Sequence, residues 1–261
     1  MTNLEKHLQI QAMRGGEQEM IELVNHLLQQ EQYEQAVKWL KSGVTRGYRD
    51  AMYMLGNCFY AEIGVEEDIS EAFRLYEMAA QQGHPDAINN LADMYLNGEA
   101  VPVDENKART LFQQAATLGV SEAMFTLGMM YEQGIGTDCN YSKAYNYYKQ
   151  SANAGDSEAQ NRMATIYFEG LLGVEISVSE AIMWYKKAAE QGHVDAQYSL
   201  GYIYNEAIGV VRNMKAASAY YEMAATAGDI DAAKQLVKIL KEQERYDAAN
   251  AWQLEIDNWS W

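Results

Sequence analysis

Residues 119–155 read GVSEAMFTLGMMYEQGIGTDCNYSKAYNYYKQSANAG, and this stretch decides the fold because its pattern recurs along the chain. Its first glycine belongs to the series Gly47, Gly83, Gly119, Gly155, Gly192 and Gly228, spaced 36, 36, 36, 37 and 36 residues apart. Four residues after each stands an alanine: Ala51, Ala87, Ala123, Ala159, Ala196 and Ala232. Eight after come Leu55, Leu91, Leu127, Met163, Leu200 and Leu236, and nine after come Gly56, Ala92, Gly128, Ala164, Gly201 and Val237. Phe59, Tyr95, Tyr131, Tyr167, Tyr204 and Leu240 follow at offset 12. Offsets 4, 8, 9 and 12 share one helical face, so each unit opens with an amphipathic helix A.

Counting back from the same glycines defines a helix B. Ala36, Ala72, Ala108, Ala144, Ala181 and Ala217 lie eleven before; Leu40, Tyr76, Phe112, Tyr148, Tyr185 and Tyr221 lie seven before. The glycine then serves as the left-handed terminator of helix B. Asp68, Asp104, Asn140, Ser177 and Asn213 stand four residues before the alanine column, all types that accept an orphan N–H in the first turn, each worth about 1 kcal/mol. Asp68 with Glu71, and Ser177 with Glu180, have capping-box spacing. Helix A carries an acid in its first turn in every unit (Asp50, Asp86, Glu122, Glu158, Asp195, Asp231), where the helix dipole favours negative charge. One helical pair cannot bury its apolar face alone, so consecutive pairs must stack into an all-α, right-handed solenoid of antiparallel pairs.

These columns carry a family resemblance. Ala87, Leu91, Ala92 and Tyr95, with Gly134, Gly136, Lys143, Ala144, Tyr147, Tyr148, Ser151, Ala152 and Gly155, resemble the Sel1-like repeat, a relative of the TPR helical hairpin. The loop that the family builds on glycine-x-glycine departs from that form here, with Glu62 and Ala207 at the first glycine and Ala100 at the second. The expected organisation is an N-terminal helical segment over 1–16, a helix pair over 17–47, five repeats over 48–228, and a closing pair with a tail over 229–261. The tail carries Trp259 and Trp261, expected to fold back on the last pair because an exposed tryptophan pair promotes aggregation.

Composition narrows the function. Twenty Lys and Arg against 37 Asp and Glu leave a net charge of −17, which argues against binding duplex DNA, other nucleic acid or an anionic membrane surface. No run of eighteen apolar residues and no secretory leader are visible, and two cysteines are too few for a disulfide framework, so a cytoplasmic location is expected. Cys58 falls on a core position and Cys139 in a loop. His84 and His193 occupy equivalent turn positions three units apart, too distant to share a metal ion. No catalytic nucleophile motif, phosphate loop or dinucleotide fingerprint occurs. A non-enzyme without cofactor or metal is expected.

A solenoid's function resides on residues its stack does not need. On helix A these are offsets 6, 10 and 13, which in related helical-hairpin repeats line the concave groove. The candidate partner-binding residues are Tyr53, Asn57 and Tyr60; Asn89, Asp93 and Leu96; Phe125, Met129 and Glu132; Asn161, Thr165 and Phe168; and Tyr198, Tyr202 and Asn205. Aromatics and methionine suit interface centres, and asparagines offer donors and acceptors to a peptide. Tyr198 and Tyr202 lie outside the core columns and are expected to matter for binding rather than folding. The resemblance implies an adaptor that assembles other proteins, and its bacterial members include immunity proteins that neutralise cognate toxins. With −17 charges, a basic protein or peptide, in the sharpest form a basic toxin, is the expected partner. The rival readings are a hydrolase using Asp93 and Glu132, and a purely structural, self-associating stack.

Overall fold

The computed structural model describes residues 3–259, in which fifteen α-helices and no strand occur. In chain order they are α1 (Asn3–Arg14), α2 (Glu17–Gln29), α3 (Tyr33–Thr45), α4 (Arg49–Tyr60), α5 (Ile69–Gln81), α6 (Pro85–Asn97), α7 (Glu105–Thr117), α8 (Ser121–Gln133), α9 (Tyr141–Ala154), α10 (Ser157–Glu169), α11 (Val178–Glu190), α12 (Val194–Asn205), α13 (Met214–Thr226), α14 (Ile230–Glu242) and α15 (Tyr246–Trp259). The all-α class and the repeating helix pair are as the sequence implies. The chain forms two compact units. The first ends at Met130 and takes in Ile135–Asp138; the second comprises Tyr131–Gly134 and the chain from Cys139 onward.

The expected start signals of helix B are all in place. Asp68, Asp104, Asn140, Ser177 and Asn213 accept the N–H groups of Glu71, Lys107, Lys143, Glu180 and Ala216 at 2.9–3.4 Å. Glu71 does not close a capping box; its carboxylate is held instead by Arg74, at 2.6 and 2.8 Å. At the other end of helix B the six spaced glycines adopt φ between +76° and +105°. The residue after each glycine sends its N–H back to the carbonyl five residues upstream, as His84 does to Ala79 and Asp229 to Ala224. That bond satisfies a carbonyl the helix itself cannot.

Helix A receives caps that the spacing alone left unassigned. His84 and His193 are its N-caps in their units, each Nδ1 accepting the N–H three residues on, from Ala87 and Ala196. Asp156 and Asp229 do the same with carboxylates. His84 is buried, which lowers its pKa, so the ring stays in the neutral form that can accept.

The loops between helices A and B keep one geometry despite their altered sequences. Each has a pair of left-handed residues two positions apart: Glu62 and Gly64, Gly98 and Ala100, Gly134 and Gly136, Gly170 and Leu172, Ala207 and Gly209. Four of those ten are not glycine, a conformation costing L-residues roughly 1–2 kcal/mol each. The N–H of each helix-B cap anchors the loop to the offset-12 carbonyl, as Asp104 does to Tyr95 at 2.9 Å and Asn213 to Tyr204 at 2.9 Å.

The columns form the interior. Every alanine at offset 4 is fully buried, and the leucine and methionine column at offset 8 is at most 5% exposed. The small residues at offset 9 make room for the helix-B aromatic column. A Cβ built on Gly56 would meet the Tyr76 ring at 2.7 Å, and one on Gly201 the Tyr221 ring at 2.7 Å. Cys58 is buried and its thiol is pushed up to about 11 by desolvation, an inert core group; Cys139 is exposed. At the C-terminal end Trp259 lies edge-on to Trp252 of its own helix, centroids 6.4 Å apart, while Trp261 falls outside the described residues.

Candidate partner-binding face

The fifteen candidate residues divide by offset into rows with different surroundings. At offset 6 the side chains are half-buried. Tyr53 stacks on His84 with centroids 4.3 Å apart. Asn89 donates to Asp93 at 3.2 Å, the buried Oδ1 of Asn161 has no hydrogen-bond partner among the described residues, and Phe125 is half-buried. Tyr198 sits edge-on to Tyr221 at 5.5 Å and packs against the cluster of Leu236, Val237 and Leu240. Tyr198 is therefore part of the packing, contrary to the expectation that the fold does not need it. Offset 6 is one turn from offset 9, where the helix-B ring crosses, so a large side chain there meets that ring.

Offsets 10 and 13 are more open. Tyr60 and Tyr202 are 42% and 43% exposed, the exposed members of the set. Leu96, Met129 and Asn205 are half-buried, and Phe168 lies edge-on to Tyr185 at 6.4 Å. The helix-B tyrosine hydroxyl reaches this level and meets a polar group. Tyr76 donates to Asn57 Oδ1 at 2.8 Å, with Asn90 Nδ2 also directed to that oxygen at 3.4 Å. The Tyr185 and Thr165 hydroxyls lie 3.3 Å apart. Tyr148 donates to Glu132 at 2.7 Å, and Arg162 completes that carboxylate's environment with an ion pair. The Arg162 guanidinium also lies over the Tyr148 ring, 5.7 Å from its centroid.

Asp93 breaks the pattern. The residue that stands to it as Tyr76 stands to Asn57, nineteen positions on, is Phe112, which has no hydroxyl. Asp93 is held only by Asn89, and neither it nor nearby Glu99 pairs with a lysine or arginine among the described residues. Desolvation, reinforced by Glu99, raises the Asp93 pKa to about 6. Asp93 opens onto a cavity of about 310 Å³ in the first compact unit, walled by Tyr60, Tyr76, Asn90, Met94, Asn97 and Glu99. At its rim, burial and the nearby Glu99 carboxylate raise the Tyr60 pKa.

Sequence reading placed Asn57, Tyr60 and Asp93 on this face but missed Tyr76, Asn90, Asn97, Glu99, Tyr148 and Arg162. Tyr76 and Tyr148 were assigned wholly to the core, because periodicity locates a ring and not the hydroxyl beyond it. The single phenylalanine among the helix-B tyrosines was the available signal. No group of three His, Cys, Asp or Glu side chains placed to hold a metal ion occurs among the described residues.

The Sel1 repeat family model matches residues 28–48, 49–84, 85–120, 121–156, 157–193 and 194–229. The chain belongs to the Sel1 repeat family. The match at 28–48 is a partial repeat inside the segment that the spacing assigned to the N-terminal pair. Curated proteins give no match. A Sel1 repeat protein from Oxalobacter formigenes is 28% identical with a TM-score of 0.81, over 91% of this chain and 99% of that one. A protective antigen of uropathogenic Escherichia coli with the same repeat fold, c5321, is 28% identical with a TM-score of 0.72, over 96% of this chain and 55% of that one. The immunity protein Pa5087 of Pseudomonas aeruginosa shares the fold at 20% identity and a TM-score of 0.51, over 74% of each chain. Sel1-repeat proteins are in general protein-interaction scaffolds and typically not enzymes. No helix among the described residues is long and apolar enough to cross a membrane.

Proposed function

We propose that this Sel1-repeat protein is a non-enzymatic cytoplasmic adaptor that holds a basic partner protein on the offset-10 and offset-13 rows of helix A. One observation carries the reading: Asp93 and Glu99 border an open cavity with no cation beside them among the described residues. A native fold keeps a desolvated carboxylate without a partner at a cost, and such groups concentrate where something binds. The exposed Tyr60 and Tyr202 supply aromatic anchors, and the net charge of −17 would speed encounter with a basic surface. The sharpest form of the reading is an immunity protein whose basic partner is a toxin.

The test is capture of partners from a lysate of the native organism on the immobilised protein, washed at low and then high salt, alongside the Tyr60→Ala/Tyr202→Ala variant. A stoichiometric basic protein, weakened by salt and lost on the double variant, is the expected result. A partner retained equally by both proteins and indifferent to salt would overturn the assignment of this face.

A further inference from the structure

The cavity beside Asp93 has a more specific chemistry than acidity. Two of its walls are aromatic, from Tyr60 and Tyr76; its amide groups come from Asn90 and Asn97; its charges, Asp93 and Glu99, are both negative. Tyr76 and Asn90 are oriented through their shared contact with Asn57, so that part of the lining is fixed before anything arrives. Asn89, one turn before Asp93, directs its amide to the carboxylate and leaves its own buried Oδ1 without a donor. Arg74, on the same helix as Tyr76, is committed to Glu71, and Lys107 lies over Tyr95, 6.0 Å from the ring centroid. Neither supplies the cavity with a charge.

An ammonium ion is a compact, strongly hydrated point charge, costly to move into a half-enclosed space. A guanidinium is planar, more weakly hydrated, stacks on aromatic faces and donates in a fork that matches a carboxylate. At about 310 Å³ the space lies at the lower end of ligand-pocket sizes, room for one side chain rather than a segment of backbone. We infer that the cavity lined by Tyr60, Tyr76, Asn90, Asp93 and Glu99 is an arginine socket, which takes one arginine side chain of the partner protein. That the arginine belongs to a protein rests on the proposed function; the socket itself does not. Within the second compact unit, Arg162 already shows the arrangement in cis, paired with Glu132 and laid over Tyr148.

The experiment uses the full chain and N-acetyl-arginine methylamide as probe, with N-acetyl-lysine methylamide as competitor chemistry, read by calorimetry and by NMR shifts of the Asn90 and Asn97 side-chain amides. The arginine probe is expected to bind with millimolar affinity, at least fivefold tighter than the lysine probe, and to move those amides. Asp93→Asn should weaken it at least tenfold, while Asp195→Asn, an exposed helix-start acid in the second unit, should leave it unchanged. Because Asp93→Asn removes an unfavourable buried charge, that variant is expected to fold, and its amide spectrum checks this. Equal binding of both probes, no shift of Asn90 and Asn97, or arginine binding unaffected by Asp93→Asn would each overturn the socket. Loss of captured partner on Tyr60→Ala/Tyr202→Ala with no effect of Asp93→Asn would leave the proposed function standing and remove this inference. Probe binding without any captured partner would do the reverse.

Discussion

The carboxylates Asp93 and Glu132 occupy the same outward face of two different A helices and have been treated in opposite ways. Glu132 is enclosed by its own unit, with the Tyr148 hydroxyl on one oxygen and Arg162 on the other. Asp93 has an asparagine, a phenylalanine in place of the tyrosine, a second acid nearby and a cavity in front. They stand about one turn apart in the repeat, at offsets 10 and 13, and the difference lies in the few side chains around each. Burial of charge is tolerated where the chain brings a counter-charge, and otherwise leaves a demand that a partner can meet.

The largest effect expected from this contrast comes from stripping Glu132 of its cation. Arg162→Ala leaves that half-buried carboxylate with only the Tyr148 hydroxyl and removes the guanidinium laid over the tyrosine ring, so urea denaturation should show a loss of about 2–3 kcal/mol, between the values for exposed and buried pairs. A loss below about 0.5 kcal/mol would mean that the pair is only a surface contact.

Asp93 should behave in the opposite sense. Its folded pKa, near 6, is raised above the ordinary carboxylate value, so the native state binds a proton more tightly than the unfolded state. Stability from this group is therefore greatest below the unfolded pKa, falls as pH rises from about 4 to 6, and is flat above. Asp93→Asn should stabilise the protein by about 2 kcal/mol at pH 7 and by almost nothing at pH 4. Equal effects at both pH values would show that Asp93 is ordinarily solvated.

A third change moves one site toward the other. Phe112→Tyr offers Asp93 the hydroxyl that Asn57 receives from Tyr76, and should add about 1 kcal/mol while lowering the Asp93 pKa, followed by NMR titration. The smallest effect concerns the lip of the cavity, where Ala100 beside Glu99 holds φ at +59°. Ala100→Gly should raise stability by about 0.5 kcal/mol, the strain relieved less the added freedom of the unfolded chain.

The architecture was legible because it is periodic. Six glycines, six alanines and a cap of known type before five of the six B helices specify where helices begin, end and face, and the helices follow them. The altered loops were also recoverable, since Glu62, Ala100 and Ala207 take the glycine conformation under the constraint of the helices they join. The candidate face was legible only as a stripe. Tyr53 and Tyr198 belong to that stripe by spacing, yet rings from beyond their own helices, His84 and Tyr221, engage them. Contacts between helices join residues nineteen to thirty-three positions apart, as between Tyr76, Asn57 and Asn90, and periodicity along one helix does not encode them. The histidines were hidden for another reason: a cap on helix A by imidazole, as at His84 and His193, is outside the usual set of capping residues.

The most direct measurement is an NMR pH titration of the Asp93 side-chain carboxyl in the full chain, free and saturated with N-acetyl-arginine methylamide. An uncompensated carboxylate that awaits a cation should titrate near pH 6 when free and at clearly lower pH with the probe bound. A midpoint near 4 in both states would show that Asp93 lacks nothing, and that the contrast with Glu132 has no bearing on recognition.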